Sequence, residues 1–152
     1  MSLDKLLAEF SRLHFPRPPA TPEQIAAFEA RVGWKLDADL RAFYQRSDGG
    51  TLFEEQPDAS YRILSLEEIR RARVAIMGRD NDQYGAPSHY TLVDMQDTNY
   101  VILDVAQQAG GAYPLFDAWH ETYPVAKPIA SSFAEFLERA MRSDGFSYWL
   151  DG

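Results

Sequence analysis

The spacing of hydrophobic residues predicts helices towards both ends of the chain and strands between them. In five segments apolar residues recur every three or four positions, the period of a helix with one buried face. A Ser, Thr or Asp opens each segment, as expected of residues that cap a helix N-terminus. The predicted helices begin at Ser2, Thr21, Asp37, Ser65 and Ser132. The first ends at Leu13 and the fourth at about Met77.

Short β-branched and aromatic runs between these helices predict strands. Turn-forming residues separate the runs, for example Asp97–Asn99 and Gly110–Gly111. The predicted strands are Thr51–Phe53, Tyr61–Leu64, Tyr90–Met95, Tyr100–Val105 and Ala112–Phe116. Both faces of the fourth run are largely apolar. We therefore expect helices to cover one face of the sheet and the other face to be partly exposed.

These elements predict an α+β fold in a single domain over residues 1–152. Its antiparallel sheet has about four to six strands, flanked by N-terminal helices and a C-terminal helix. Residues 1–20 are predicted to form the first helix and a proline-rich link, and residues 117–128 a loop. The tail, residues 143–152, is predicted to dock on the body because it carries four large apolar side chains. These are Phe146, Tyr148, Trp149 and Leu150.

The amino-acid composition limits the kinds of partner and of functional site that the protein can have. The net charge of -8 disfavours binding to nucleic acid or to an anionic membrane, and it suits a basic protein partner. Solubility alone would also explain the acidity. The chain has no cysteine, so it has neither disulfides nor a thiolate metal site. Without a membrane-spanning run or a signal segment, we expect a cytoplasmic protein.

The stretch from Val32 to Gly50 carries the most specific pattern. It combines a helix-ending glycine, a capped amphipathic helix and a paired-glycine stop. Its pattern is similar to the signature of the SUKH superfamily, in the Smi/Knr-type branch of cell-wall-assembly regulators and bacterial relatives. Asp37 stands where that pattern usually has proline, and Asp48 where asparagine is common. The matching residues are Gly33, Leu36, Phe43, Tyr44, Gly49 and Gly50.

Later segments extend the resemblance to about residues 21–142. A strand of the Ile/Val-x-Leu-Asp type is matched by Leu103 and Asp104, and an acidic-histidine loop by Phe116–Glu121. The closing helix of the pattern is matched by Ser132, Phe133, Phe136 and Leu137. The resemblance implies a SUKH-like fold. It also implies a binding role, since many bacterial members resemble immunity proteins that neutralise a partner toxin, whereas eukaryotic members resemble intracellular regulatory or scaffold modules.

The sequence contains no nucleophile elbow, phosphate-binding loop or dinucleotide fingerprint. His120 and Glu121 begin like a zinc-protease helix, but Pro124 stands where the second histidine must be. With Asp104 and Asp117 they could serve acid–base chemistry or hold a divalent metal. We expect instead no catalytic residue, metal or cofactor. A small hydrolase or metal-binding protein using Asp117, His120 and Glu121 is the less favoured alternative.

One cluster of arginines is basic, whereas the chain as a whole is acidic. A phosphate site or a solvated helix face paired with Glu67 and Glu68 would both account for it, and the helix face is favoured. The cluster comprises Arg70, Arg71, Arg73 and Arg79.

Aromatic residues near acids, in loops and at strand ends, indicate a protein-binding surface, although many of them could instead complete the core. The expected partner is a protein with a basic surface, such as a toxin or toxin domain, and the chain itself is expected to be a monomer or weak dimer. The candidate partner-binding residues are Asp80, Asp82, Tyr84, Asp94, Asp97, Tyr100, Asp104, Asp117, Trp119 and Glu121.

Overall fold

The structure is a computed structural model that describes residues 2–55, 61–108 and 110–150. Among these residues the helices are α1 (Leu3–Leu13), α2 (Pro22–Val32), α3 (Ala38–Arg46), α4 (Ala72–Met77) and α5 (Phe133–Met141). The strands are β1 (Phe15–Pro16), β2 (Gly50–Leu52), β3 (Tyr61–Ile63), β4 (His89–Asp94), β5 (Tyr100–Asp104), β6 (Leu115–Ala118) and β7 (Lys127–Ala130).

All seven strands form one sheet in the order β1-β2-β3-β4-β5-β6-β7, and every neighbouring pair is antiparallel. Each strand therefore pairs with the next one along the chain. The predicted α+β fold is confirmed, with slightly more strands than expected. The two edge strands contain Pro16 and Pro128, which lack a backbone N–H and so discourage pairing with another chain.

Side-chain caps fix where the helices begin. Thr21 accepts a hydrogen bond from the backbone N–H of Gln24 at 3.1 Å, and the Gln24 side chain accepts one from the Thr21 N–H at 2.8 Å. Ser132 accepts from the Glu135 N–H at 3.1 Å. Helix α2 ends at Gly33, whose φ of 81° is left-handed, as a helix-ending glycine allows. These caps and this stop agree with the sequence prediction.

The main core lies on one face of the sheet, under α1, α3 and α5. Phe10 stacks on Phe43 at 5.4 Å between ring centroids, and Phe43 meets Phe133 at 5.1 Å. Val101 and Leu103 of β5 are buried beneath them. A smaller cluster of Ala72, Ile102, Ala118 and Tyr123 lies on the other face. That second face is therefore only partly covered, by α4 and the segment after β6.

The helix predicted over residues 65–77 is instead two short helices. A single 3₁₀ turn, Leu66–Glu68, is followed by extended chain before α4. The backbone of Arg70 bonds to β4 there, since the Thr91 N–H donates to its carbonyl at 2.9 Å. Ile69 is fully buried. Pairing with the sheet and burial of this one side chain replace the helical hydrogen bonds.

Two further boundaries differ from the prediction. The predicted strand 112–116 lies later, as β6, because the Tyr113 N–H donates to the Asp37 carboxylate instead of to a neighbouring strand. The predicted loop 117–128 contains the end of β6 and the start of β7. Together with β1, which forms in the proline-rich link, this explains the larger number of strands.

The C-terminal tail docks only in part. Trp149 is buried, with its ring 6.2 Å from that of Tyr61. Phe146 and Leu150 are exposed, at 68% and 66%. The last two residues of the predicted tail, 151 and 152, lie outside the described part of the chain. In that described part, no helix is long and apolar enough to cross a membrane.

Replacing Ser132 with alanine should lower the free energy of unfolding by about 1 kcal/mol. The change removes the oxygen that accepts from the Glu135 N–H. Urea melts of wild type and variant measure the difference. Ser131→Ala is the matched control and should change stability little, because the Ser131 hydroxyl makes only a 3.4 Å contact with the Glu135 carboxylate. If only the control lost stability, the helix would begin at Ser131.

Candidate protein-interaction site

Five of the candidate partner-binding residues come together where β4 turns into β5. Asp94 ends β4, Asp97 lies in the turn and Tyr100 opens β5. Tyr100 is paired with Ala118, the last residue of β6. The segment after β6 begins at Trp119 and includes Glu121, and it therefore leaves the sheet beside the turn. We call these five residues the hairpin-end surface.

Asn99 joins the two parts of the hairpin-end surface. Its side-chain oxygen accepts from the backbone N–H of His120 at 2.9 Å and lies 2.8 Å from His120 Nδ1. Asn99 is buried, with 6% of its surface exposed. A buried amide that binds both the backbone and the ring of His120 fixes the start of the segment after β6 against the turn.

The turn itself is held by short-range hydrogen bonds. The Asp94 carboxylate accepts from the Gln96 N–H at 2.8 Å, and the Met95 N–H donates to the Asn99 carbonyl at 2.9 Å. Gln96, Asp97 and Thr98 all have positive φ, at 78°, 56° and 65°. This left-handed run places Asp97 at the exposed tip of the turn.

The outward side chains of this surface are aromatic and acidic. Trp119 is 42% exposed and stacks on the His120 ring at 5.6 Å between centroids. The Glu121 side chain is 71% exposed, and its carboxylate lies 3.8 Å from His120 Nε2. The Asp94 carboxylate is less available to a partner, because it is paired with the Arg62 guanidinium at 3.0 Å.

A cavity of about 330 Å³ borders this surface at Tyr100. Arg62 and Thr91, on the second face of the sheet, line it together with Glu68 and Arg70. Arg62 is held between the carboxylates of Glu68, at 2.7 Å, and Asp94. The partly exposed face expected from the sequence therefore continues from the hairpin-end surface into a polar depression.

Asp80, Asp82 and Tyr84 form a separate group on the connection before β4. The Arg73 guanidinium donates to Asp80 at 2.9 Å and to Asp82 at 2.6 Å, while Arg71 reaches Asp80 at 3.2 Å. Hydrogen bonding to Arg73 holds the pKa of Asp80 below its usual value. These acids bind the chain's own arginines.

The same contacts correct the interpretation of the basic cluster. The Arg73 side chain is only 6% exposed, so it does not lie on a solvated helix face. Its partners, and that of Arg71, come from the following loop and not from Glu67 or Glu68. Glu68 instead pairs with Arg62. The sequence could not reveal this because the fourth helix is interrupted.

Asp104 lies at the other end of β5 from Tyr100, about 13 Å away at the usual rise of a strand. It is buried beside His89, whose Nε2 is 3.5 Å from the carboxylate, and His89 Nδ1 meets the Tyr123 hydroxyl at 2.8 Å. Burial lowers the pKa of His89 and raises that of Tyr123 to about 12. The sequence gave no signal for this cluster, because His89 and Asp104 are brought together only by the pairing of β4 with β5.

Asp117 faces the main core, in register with Val101. Its side chain accepts a hydrogen bond from Trp149, and burial raises its pKa. The four residues considered for acid–base chemistry are thus divided among three places, and only His120 and Glu121 adjoin. Over the described ranges, no three His, Asp or Glu side chains are grouped closely enough to hold a metal ion.

Two residues that organise the surface were not among the partner-binding candidates. Asn99 was recognised only as a turn residue. His120 was recognised only as a candidate for acid–base chemistry or metal binding and as part of the loop that resembles the family pattern. Their contact spans 21 positions in sequence. It arises from the pairing of β5 with β6, which a single sequence does not specify.

The sequential antiparallel sheet, with helices on one face and a partly open second face, defines a distinct class of small α+β protein. The chain belongs to the SMI1 / KNR4 family (SUKH-1), whose model matches residues 19–139. This confirms the resemblance found in the sequence over about residues 21–142. The chain is also similar to the Immunity protein YokJ of Bacillus subtilis (strain 168). The two are 26% identical over 118 residues, which cover 76% of this chain and 71% of YokJ.

Proposed function

We propose that this protein is an immunity protein of the cytoplasm, which binds a cognate toxin and neutralises it without catalysing a reaction. Membership of the SMI1 / KNR4 family supports the proposal, as does the similarity to a relative named as an immunity protein. The net charge of -8 adds a physical reason, because a strongly acidic protein is suited to a basic partner.

The observation that carries the proposal is the hydrogen bonding of Asn99 to His120. It holds Asp97 on the turn, and Trp119 and Glu121 on the next segment, as one preformed surface. Preformed surfaces lose little conformational entropy on binding, and an exposed tryptophan is a frequent anchor of protein interfaces.

The partner we propose is a toxin domain with a basic cleft. A toxin that acts on nucleic acid needs Lys and Arg side chains where the phosphates bind. Carboxylates presented to such a cleft would occupy the positions of the phosphates and exclude the substrate. Asp97 and Glu121 are the two carboxylates of the hairpin-end surface best placed for this, because both are exposed.

Affinity capture of the tagged protein from its native cells, at low and high salt, tests the proposal. We expect one dominant partner with a basic toxin domain, held less tightly as salt rises. Capture of several housekeeping proteins, or of none, would overturn it and favour an intracellular regulatory or scaffold protein.

Reversing both exposed charges should weaken the complex. The variant Asp97→Lys/Glu121→Lys is expected to bind the captured toxin domain about tenfold more weakly, a loss of about 1.4 kcal/mol. The matched control is Glu23→Lys/Asp144→Lys, which makes the same change of charge at exposed positions of helix α2 and the segment after α5. Calorimetric titration measures both. Equal weakening by the two variants would show that net charge, and not this surface, attracts the partner.

A further inference from the structure

The tautomer of His120 follows from its contacts with Asn99. The backbone N–H of His120 can only donate, so the Asn99 atom 2.9 Å from it must be the side-chain oxygen. The same oxygen lies 2.8 Å from His120 Nδ1 and can only accept there. Nδ1 therefore carries the proton. In the neutral ring, Nε2 is left with a free lone pair.

This lone pair is on an exposed part of the molecule, next to a carboxylate. The His120 side chain is 37% exposed and the Glu121 side chain 71%, and their Nε2 and Oε1 atoms are 3.8 Å apart. Two hydrogen-bond acceptors thus stand side by side. The indole of Trp119, itself 42% exposed, stacks on the same imidazole.

We propose that Trp119, His120 and Glu121 form a receptor for one arginine side chain of the protein partner. This inference rests on the proposed function, in which the partner presents a basic surface. The guanidinium would contact the indole with its flat face and donate to His120 Nε2 and to the Glu121 carboxylate. His120 is then a specificity-determining residue.

The geometry selects arginine over lysine for two reasons. A guanidinium presents several N–H donors in a rigid plane, so one group can serve two acceptors that are 3.8 Å apart. It is also weakly hydrated and stacks on aromatic rings. A lysine ammonium is a compact, strongly hydrated charge. It can pair with Glu121 but gains little from the indole.

Asn99 acts in this receptor as a positioning residue. It is buried and does not reach the partner, but it fixes both the place of the His120 ring and the nitrogen that carries the proton. If a hydrogen-bond donor stood in place of the Asn99 oxygen, the His120 ring would turn or its proton would move to Nε2. In either case Nε2 would no longer accept a hydrogen bond from the partner.

Nuclear magnetic resonance on the isolated protein tests the receptor without the natural partner. The probes are the acetylated amides of arginine, lysine and citrulline, where citrulline is the uncharged counterpart of arginine. At pH 8 we expect arginine amide to shift the Trp119 indole N–H and the His120 ring nitrogens saturably. Lysine amide should bind at least about threefold more weakly, and citrulline amide should cause no saturable shift.

The chain has three tryptophans and three histidines, so Trp119→Phe and His120→Gln are used to assign the signals. Long-range correlation of ring protons with ring nitrogens reads the tautomer directly. We expect Nδ1–H at His120. A protonated Nε2, or equal shifts with arginine and lysine amides, would overturn the proposal. A complete lack of response to arginine amide would overturn it too.

Two substitutions of His120 separate its acceptor from its contact with Asn99. In His120→Asn the short amide can still donate to Asn99 but cannot reach the position of Nε2, whereas the longer amide of His120→Gln places an oxygen near it. We expect about tenfold weaker binding of arginine amide by His120→Asn and a smaller loss by His120→Gln. Equal losses would contradict a role for Nε2.

The two proposals can fail separately. If a toxin partner is captured equally well by wild type and by Trp119→Ala, the immunity role stands and the arginine receptor is wrong. If arginine amide binds as expected but no toxin is captured, the receptor stands and the immunity role is wrong. Urea melts of Trp119→Ala provide the control for folding.

Discussion

Gly49→Ala is expected to lower the free energy of unfolding by about 3 kcal/mol or more. A Cβ atom at this position would lie 2.6 Å from the carbonyl oxygen of Ile63 and 2.9 Å from backbone atoms of Leu64 and Ser65. These are main-chain atoms of β3 and of the residues that follow it, so they cannot rotate away. The φ of +85° adds strain, because a residue with a Cβ rarely adopts it.

Gly33→Ala is the matched control for this prediction. Gly33 has almost the same φ, +81°, but a Cβ built there has no atom within 4 Å. It should therefore cost only about 1 kcal/mol, the strain of the left-handed backbone. Urea melts of the two variants isolate the effect of the close approach at Gly49. Equal losses in both variants would show that the contact with β3 is relieved at little cost.

This pair of glycines also shows what the sequence could predict. Both were recognised as turn and helix-stop residues, because a glycine after an amphipathic helix has a local cause. That Gly49 also lies against the backbone after β3 depends on how the sheet is assembled. The local reason for a glycine was therefore visible in the sequence, but the tertiary reason was not.

The secondary structure shows the same difference between local causes, which the sequence reveals, and tertiary causes, which it does not. Helices α1, α2, α3 and α5 were predicted well because capping side chains and apolar periodicity act within a few residues. The prediction of one continuous fourth helix was wrong. The backbone of Arg70 bonds to Thr91 in β4, and this contact overrides the local helix propensity. Strands β1 and β7 were missed because each contains a proline and only two to four residues.

The sequence indicated which kinds of residue would form the candidate site, but not which of these residues would lie together. Exposed aromatics and acids near turns suggested an interface, and five of them do lie together at the hairpin-end surface. The other five are drawn into contacts with arginines, a histidine or the C-terminal tail. Such contacts join residues that are distant in sequence, for example Asp117 and Trp149. A list of acidic residues cannot distinguish a side chain that binds a partner from one that stabilises the fold.

Asp37 illustrates a departure from the family pattern that has a structural reason. It stands where proline is usual and accepts two hydrogen bonds, from the Leu40 N–H and the Tyr113 N–H, both at 2.9 Å. The first bond caps α3, and the second ties this cap to the segment before β6. Asp37 is 7% exposed. One carboxylate therefore connects the N-terminal helices to the central sheet.

Replacing Asp37 with alanine should lower the free energy of unfolding by about 3 kcal/mol. Loss of the cap accounts for about 1 kcal/mol, and a buried Tyr113 N–H without an acceptor for about 2 kcal/mol. Asp37→Asn is the matched variant. Burial raises the pKa of Asp37, so folding disfavours its charged form relative to water. The amide oxygen of asparagine can still cap Leu40. Because the amide nitrogen cannot accept from Tyr113, the asparagine variant should lose about 2 kcal/mol, roughly two thirds of the loss in the alanine variant.

Urea melts and amide hydrogen exchange together test this account of Asp37. Exchange at the Tyr113 N–H should become faster in both variants, whereas exchange at the Leu40 N–H should become faster only in Asp37→Ala. Equal destabilisation by alanine and asparagine would mean that the cap on Leu40 contributes nothing. Unchanged protection of the Tyr113 N–H in Asp37→Ala would mean that another acceptor replaces the carboxylate. In that case Asp37 would not be the group that links α3 to the segment before β6.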